Sequence, residues 1–351
     1  MDTITIGILY PSAWYGDRDG FAREVQQLTD LDPRIEVLVE QYDEPHDLRS
    51  ARGKPGAEDL RNRTPALTDA QRDAFARVDI AIAIDLPFDV ATHAPNLRWV
   101  QSVGAGTGQL QSAGLGKAGI RLTSAAGANA VGIAEFMLGR VLQHWKHLRA
   151  IDDAQQRHEW RPAYGRQLAG ATLGLIGLGA INSAIAARAQ AFGMRVVATR
   201  RSATPGATAP GIDELFPTTD LNTMLGQCDV VIAAVPETAE TTGMMDEKAF
   251  AAMRQGALFC NVGRGSFVDE PALIDALGRG HLGAAALDVT SVEPLPSDHP
   301  LWDAPNLYLS PHAAASPGAL FVNLHQMFRE NLARYLAGEP LENEVDLSRG
   351  Y

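Results

Sequence analysis

The 351-residue sequence predicts an α/β fold made of two parallel-sheet domains. Three observations predict it. Short apolar runs of strand length recur along the chain, and each ends in Gly, Pro or polar residues, the rhythm of βα units that feed a parallel sheet. The stretch Thr172-Leu173-Gly174-Leu175-Ile176-Gly177-Leu178-Gly179-Ala180-Ile181-Asn182 joins a buried strand, a glycine turn and a helix start, the layout that presents helix N-terminal N–H groups to a pyrophosphate. The runs before residue 125 form a βα array of their own, and a chain of this length has room for two cores.

In chain order, residues 4–10 read as a first strand and residues 34–40 as a second, with Phe21, Val25 and Leu28 at helical spacing between them. Residues 41–68 are polar and carry Pro45, Gly53, Pro55, Gly56 and Pro65; they are expected to form a long surface excursion, a flexible loop or a lid. Residues 79–84 and 97–103 are the next strands. The second of these runs into Gly104-Ala105-Gly106-Thr107-Gly108, a glycine-dense turn whose bare backbone N–H groups form a nest for an anion such as a carboxylate. A short strand over 121–124 follows. Residues 129–149 read as one long amphipathic helix, with Ile133, Phe136, Met137, Val141 and Leu142 as its apolar stripe and Asn129 at its start. Residues 150–170 are polar and hold Trp160, Pro162 and Tyr164; they read as a connecting arm.

The second array starts with the glycine motif. Gly177 permits the tight turn and Gly179 a close backbone approach to phosphates, while Asn182 stands where a third Gly or Ala is usual and brings a larger side chain that must be housed. The following strand, 194–199, ends at Arg200-Arg201. An NAD-binding unit places an acid there for the ribose 2′-OH. Arginine pairs with a 2′-phosphate instead, so NADP(H) is predicted over NAD(H), which stays possible. A Pro/Gly/Thr-rich loop spans 202–211. Further strands over 229–235, 257–262, 283–289 and 304–310 precede a last helix over 318–336 and a tail to Tyr351.

Composition narrows the function. With 30 Lys and Arg against 42 Asp and Glu the net charge is -12, which argues against a nucleic-acid or anionic-membrane surface. No apolar segment reaches spanning length. The strand-like start lacks a basic region or a long apolar core, so no signal peptide is expected. Cys228 and Cys260 are the only cysteines, which fits a reducing cytoplasm better than a disulfide framework. No zinc spacing and no nucleophile elbow is present, so no metal is expected.

Three ionisable residues stand just beyond separate strand ends: Arg264, Glu293 and His312. Ligands of open α/β sheets bind at such carboxyl ends. Removing a hydride from a hydroxyl-bearing carbon requires a base for the O–H proton, and the reverse requires an acid; histidine serves both. A carboxylate on its other nitrogen fixes the tautomer and raises its pKa. An arginine clamps a substrate carboxylate. His93, His144, His147, His281, His299 and His325 lack such flanks and read as structural or solvated.

Over most of its length the chain resembles the D-isomer-specific 2-hydroxyacid dehydrogenase family. The likeness rests on Leu178-Gly179, the block from Pro236 to Gly243, Asn261-Val262-Gly263-Arg264-Gly265-Ser266-Phe267-Val268-Asp269-Glu270, Ala286-Leu287-Asp288-Val289, Glu293-Pro294-Leu295-Pro296 and Ser310-Pro311-His312. The resemblance implies two Rossmann- and flavodoxin-like domains with a cleft between them. Residues 1–126 and 316–351 would form a discontinuous substrate domain, and 127–315 the dinucleotide-binding domain, with hinges near 125–128 and 313–318. It also implies roles. His312 would be the acid/base, Glu293 its partner and Arg264 the carboxylate clamp, aided by backbone N–H groups around Val103 and Gly104. Cofactor contacts would come from Gly177, Gly179, Ala180, Ile181, Arg200, Arg201, Val235, Pro236, Thr241, Val262, Gly263, Asp288 and His312, with Asp288 on the nicotinamide carboxamide. Family members are typically homodimers joined through the part that corresponds to residues 129–165.

Gln101-Ser102-Val103-Gly104-Ala105-Gly106 and Trp160-Arg161-Pro162 are similar to the glyoxylate/hydroxypyruvate reductase branch, where NADPH is the usual donor. The chain departs from that branch at Asn182, at Thr107-Gly108-Gln109 and in the length of 41–68. The implied activity is reduction of small 2-keto acids to D-2-hydroxy acids. The alternatives are a phosphoglycerate or other D-2-hydroxyacid dehydrogenase, and a cofactor-responsive, corepressor-like binding protein with little turnover.

Overall fold

The computed structural model describes residues 3–53, 56–204 and 207–347. The chain divides into two compact units, one from the residues up to Ala128 together with those from Pro317 onward, the other Asn129–Ser316.

The first unit is built on a five-stranded parallel sheet of order β2-β1-β3-β4-β5, with β1 Ile4–Ile8, β2 Ile35–Val39, β3 Ile80–Ala83, β4 Trp99–Ser102 and β5 Arg121–Thr123. Every residue of β3 and β4 is buried, as continuous apolar strands covered on both faces should be. The last helix, Pro317–Ala337, packs Phe321, Leu324, Phe328 and Leu332 against Ile6, Ile8, Ile80, Ile82 and Trp99. Trp99 stacks on Phe328 with ring centroids 5.1 Å apart, and its indole N–H donates to Thr123 Oγ1 at 2.9 Å.

Residues 41–68 are not the structureless loop that their composition suggests. They hold a helix, His46–Arg52, and a 3-10 helix, Ala57–Arg63, and some of their charges turn inward. Arg52 and Glu44 form a fully buried ion pair. Arg52 also donates to Leu86 O at 2.8 Å and to Ser112 Oγ at 3.0 Å, with its guanidinium 4.0 Å above the Phe88 ring. Arg49 pairs with buried Asp85 at 2.6 Å, which also accepts the Glu44 N–H at 2.8 Å. Tyr42 packs on Phe75 and donates to Glu44 Oε1 at 2.9 Å. These polar residues pair across the ends of β1 and β3, although Glu44 Oε2 and Arg52 Nη2 are buried without a hydrogen-bond partner. Pro55 lies outside the described residues, as do the first two and last four of the chain.

The second unit carries a seven-stranded parallel sheet of order β12-β11-β10-β9-β6-β7-β8. Its strands are β6 Thr172–Ile176, β7 Arg195–Thr199, β8 Glu214–Phe216, β9 Val230–Ala233, β10 Ala257–Asn261, β11 Leu282–Leu287 and β12 Leu307–Leu309. Strand β6 pairs with both β7 and β9, so the order reverses there and the glycine turn after β6 lies at the topological switch point, where such sheets bind ligands. Edge strand β8 is absent from the sequence expectations because only Leu215 and Phe216 mark it.

The long helix expected over 129–149 is two helices. Ala130–Trp145 ends at His147, which takes a left-handed φ of 54°, and Leu148–Gln156 continues into what reads as a polar arm. Asn129 does not cap the first helix; its Oδ1 accepts the Ser316 N–H at 3.0 Å and ties the two ends of the unit together. Beyond the second helix Trp160 and Tyr164 are almost fully exposed. Cys228 and Cys260 are both buried, and burial pushes each thiol up to about 12.

Replacing Arg52 by Met leaves Glu44 buried without its counter-charge, which costs about 3–5 kcal/mol. Urea unfolding should show the loss as a lower midpoint, and adding Glu44→Leu should recover much of it. A single variant as stable as wild type would contradict the anchoring of this segment.

Candidate active site

The glycine turn follows directly from β6. Gly177 adopts a left-handed φ of 81°, and a Cβ there would stand 2.7 Å from Val235 Cγ1. Gly179 caps the helix Ala180–Ala191 and a Cβ on it would meet nothing within 4 Å, so this face of the turn is open. The first intrahelical bond is Ser183 N–H to Gly179 O at 2.9 Å. The N–H groups of Ala180, Ile181 and Asn182 therefore point out of the helix start without an intrahelical acceptor. Asn182, the unusual third fingerprint residue, is fully buried and fastens helix to strand: its Nδ2 donates to Ile176 O at 2.9 Å and to Gly177 O at 2.6 Å. The larger side chain is housed by replacing close packing with two hydrogen bonds. An open glycine edge, free N–H groups and a fixed turn fit the pyrophosphate of a dinucleotide.

Around this turn lie the other expected cofactor residues. Arg200 and Arg201 are exposed just past β7. Val235 and Pro236 follow β9, where Thr241 Oγ1 donates to Pro236 O at 2.7 Å and shapes the loop. Val262 and Gly263 follow β10, and a Cβ on Gly263 would come within 2.7 Å of Val235 O, so the ends of β9 and β10 touch.

Arg264, Glu293 and His312 stand beyond β10, β11 and β12. Asn261 sets the first turn: its Nδ2 donates to Arg264 O at 2.8 Å and its Oδ1 accepts Gly263 N–H at 3.0 Å. The Arg264 guanidinium is half-buried and donates through Nη1 to Gly263 O at 2.7 Å. Glu293 accepts the Thr290 N–H on Oε1 at 3.1 Å and meets His312 Nδ1 with Oε2 at 2.9 Å.

His312 has a left-handed φ of 53°, a conformation that costs a non-glycine residue on the order of 1 kcal/mol or more and persists only where its surroundings fix it. Asp288, 2% exposed, does the fixing. Its carbonyl accepts the His312 N–H at 2.8 Å. Its Oδ1 accepts Ser310 Oγ at 2.6 Å and Ala313 N–H at 2.9 Å, and its Oδ2 accepts Ala314 N–H at 3.1 Å. Asp288 therefore already serves the His312 turn with both oxygens. The sequence assigns Ser310 and Asn261 no role: the Ser310 bond crosses to another loop, and the Asn261 bonds, though confined to its own turn, depend on a side-chain orientation that the sequence does not show.

The electrostatics follow from the pairing. The hydrogen bond to Glu293 raises the His312 pKa above its ordinary value; burial and the Arg264 charge oppose this, and the carboxylates of Glu293 and Asp288 add to it. Burial pushes Glu293 up, but the bonds from His312 and Thr290 outweigh it and hold the carboxyl below the usual range. A carboxylate on Nδ1 fixes the proton there, leaving Nε2 as the nitrogen that exchanges one. Nε2 has no hydrogen bond among the described residues, and the ring is half exposed.

Val103 and Gly104 belong to the other unit. There the Val103 N–H is spent on Ala83 O at 3.0 Å and the Gly104 N–H on Ser102 Oγ at 3.2 Å. The expected nest donors at these two positions are thus engaged, because Val103 continues the sheet ladder of β4. The Ala105 and Gly106 N–H groups have no partner among the described residues. Among the described residues no group of three His, Cys, Asp or Glu is placed to hold a metal, and no helix is long and apolar enough to cross a membrane.

Residues 138–314 match the family model of the D-isomer specific 2-hydroxyacid dehydrogenase NAD binding domain. D-3-phosphoglycerate dehydrogenase of Mycobacterium tuberculosis is 32% identical over 265 residues, 75% of this chain and 49% of that one, so the chain spans about half the length of this curated relative. Glyoxylate reductase of Thermofilum pendens is 32% identical over 259 residues, 72% of this chain and 75% of that one. Among solved structures, the NADPH-dependent glyoxylate/hydroxypyruvate reductase of Sinorhizobium meliloti in complex with NADP and sulfate superposes with a TM-score of 0.71 at 25% identity, covering 100% of both chains.

Because Glu293 is the main cause of the raised His312 pKa, Glu293→Gln should bring it down toward or below about 6.5. Histidine NMR titration, with the His312 signal assigned by its loss in His312→Gln, measures this directly. An unmoved titration would contradict the pairing.

Proposed function

The chain belongs to the D-isomer specific 2-hydroxyacid dehydrogenase family, and from that premise we propose that it is an NADPH-preferring reductase of small 2-keto acids, of the glyoxylate or hydroxypyruvate type. The observation that carries this reading is the His312–Glu293 pair at 2.9 Å, with Nε2 unbonded and Arg264 on the neighbouring strand end. When bound, the reduced nicotinamide supplies the hydride. Arg264 holds the substrate carboxylate and so orients the keto group. Protonated His312 gives its Nε2 proton to the keto oxygen, while Glu293 keeps Nδ1 protonated and steadies the imidazolium until then. In the oxidative direction neutral Nε2 accepts the hydroxyl proton. The unbonded N–H groups of Ala105 and Gly106 support an anion nest in the first unit.

Cofactor choice rests on Arg200 and Arg201. They are exposed where an NAD-binding unit carries an acid, and the relatives that bind NADP support the same preference. The pyrophosphate falls to the turn from Gly177 to Ile181, and Val235, Pro236, Thr241, Val262, Gly263 and Asp288 complete the proposed cofactor set. The phosphoglycerate dehydrogenase relatives support a second reading of the substrate, a phosphorylated keto acid. Exposed Trp160 and Tyr164, with Leu148 and Ile151 on the second helix, support a homodimer formed through this arm.

His312→Ala should lower kcat by about 10²–10⁴ with NADPH binding by fluorescence titration retained; turnover within about tenfold of wild type would sink the acid/base role. Arg200→Ala should lower kcat/KM for NADPH at least about tenfold, the worth of one charge-assisted bond, and change that for NADH far less. Initial rates with glyoxylate, hydroxypyruvate, 3-phosphohydroxypyruvate and pyruvate, each with both cofactors, separate the substrate readings. Turnover with none, with cofactor binding intact, would favour a cofactor-responsive binding protein. Sedimentation velocity should give a dimer, and Trp160→Asp with Ile151→Asp a monomer.

A further inference from the structure

Glu270 has no part in the chemistry proposed above, yet it is handled as a working carboxylate. It opens the helix Glu270–Gly278, a position at which a carboxylate is ordinarily solvated, and is 6% exposed. Both of its oxygens are given to one residue of another loop. Oε1 accepts the Ser291 N–H at 2.7 Å and Oε2 accepts the Ser291 hydroxyl at 2.8 Å. His299 Nε2 stands 3.6 Å from the same Oε2.

The peptide gripped in this way directly follows the donor that aims Glu293. Ser291 is joined to Thr290, whose N–H bonds Glu293 Oε1 at 3.1 Å. Gly265 lies against the same peptide: a Cβ there would lie 2.0 Å from Thr290 C and O and 2.4 Å from Ser291 N. Gly265 directly follows Arg264. The Thr290–Ser291 peptide is thus held by the Glu270 carboxylate and in close contact with the backbone beside Arg264. Moving it displaces the donor that aims Glu293, and with it the Glu293–His312 bond. A buried carboxylate is costly unless fully hydrogen-bonded, and a simple helix-to-loop staple could be made by a neutral side chain.

We infer that Glu270 is a positioning residue, which through Ser291 fixes the Thr290–Ser291 peptide so that Glu293 meets His312 at Nδ1. The inference rests on the functional reading above for its kinetic consequences, but its geometric consequence is independent of turnover.

The test uses the full chain carrying Glu270→Ala, Glu270→Gln and Ser291→Ala, with urea midpoints to establish folding. By NMR, His312 in Glu270→Ala should titrate lower than in wild type, among the same facing charges of Glu293, Asp288 and Arg264. Glu270→Gln, which keeps an acceptor for the Ser291 N–H, should restore part of the shift. NADPH-dependent glyoxylate reduction should lose at least about tenfold in kcat in Glu270→Ala and about threefold in Ser291→Ala, since general acid–base catalysis depends on such alignment. KM for NADPH should stay within about twofold, and in a Glu293→Gln background Glu270→Ala should add nothing further, as coupled residues do. A folded Glu270→Ala protein with an unmoved His312 titration, or losses that add in the double variant, overturns the inference. If Glu270→Ala does not fold, an unmoved titration in Ser291→Ala overturns it. If wild type reduces no keto acid while the His312 titration still moves, the functional reading falls and the positioning role stands.

Discussion

Asp288 accepts from four donors of a single turn, counting its carbonyl: the His312 N–H, the Ser310 hydroxyl, and the Ala313 and Ala314 N–H groups. These bonds hold His312 in a backbone conformation that it would not adopt alone. Because β11 places Asp288 and β12 delivers the turn, the parallel pairing of these two strands is what turns a distant histidine into the partner of Glu293. The rest of the site is hung on the same principle. Polar residues of the site stand at strand ends, and their loops are fixed by buried side chains: Asp288 across from another loop, Asn261 and Asn182 within their own turns.

The same division explains what could be read from the sequence. Apolar runs, glycine turns and helical spacing are local signals, and they were sufficient for the α/β class and the switch-point turn. The residues that aim the loops are not local. Asn182 looks like a defect in a glycine motif until its bonds to Ile176 and Gly177 are seen. Glu270 and Ser291 are 21 positions apart, and no periodicity joins them. Arg264, Glu293 and His312 are visible because each carries a recognisable flank; Asn261 and Ser310 lie in the same motifs, but the bonds by which they support the site do not show in the sequence.

Misreadings had a physical origin too. Polarity suggests solvation for residues 41–68, but Arg49 and Arg52 pair with buried Asp85 and Glu44, so part of this polar segment is tied to the fold rather than solvated. Apolar spacing through residue 149 suggested a single helix, yet one residue, His147 in a left-handed conformation, divides it. Composition reports how many charges a segment has and not whether they face one another.

The two buried cysteines carry a practical consequence. A thiol reacts as its thiolate, and Cys228 and Cys260 are both inaccessible and held at about 12. Towards maleimides and similar reagents the folded chain behaves as though it had no cysteine. A single cysteine introduced at an exposed position away from the arm that carries Trp160 would then be the sole attachment point for a fluorophore or spin label, so reporter groups can be sited without first stripping the native background.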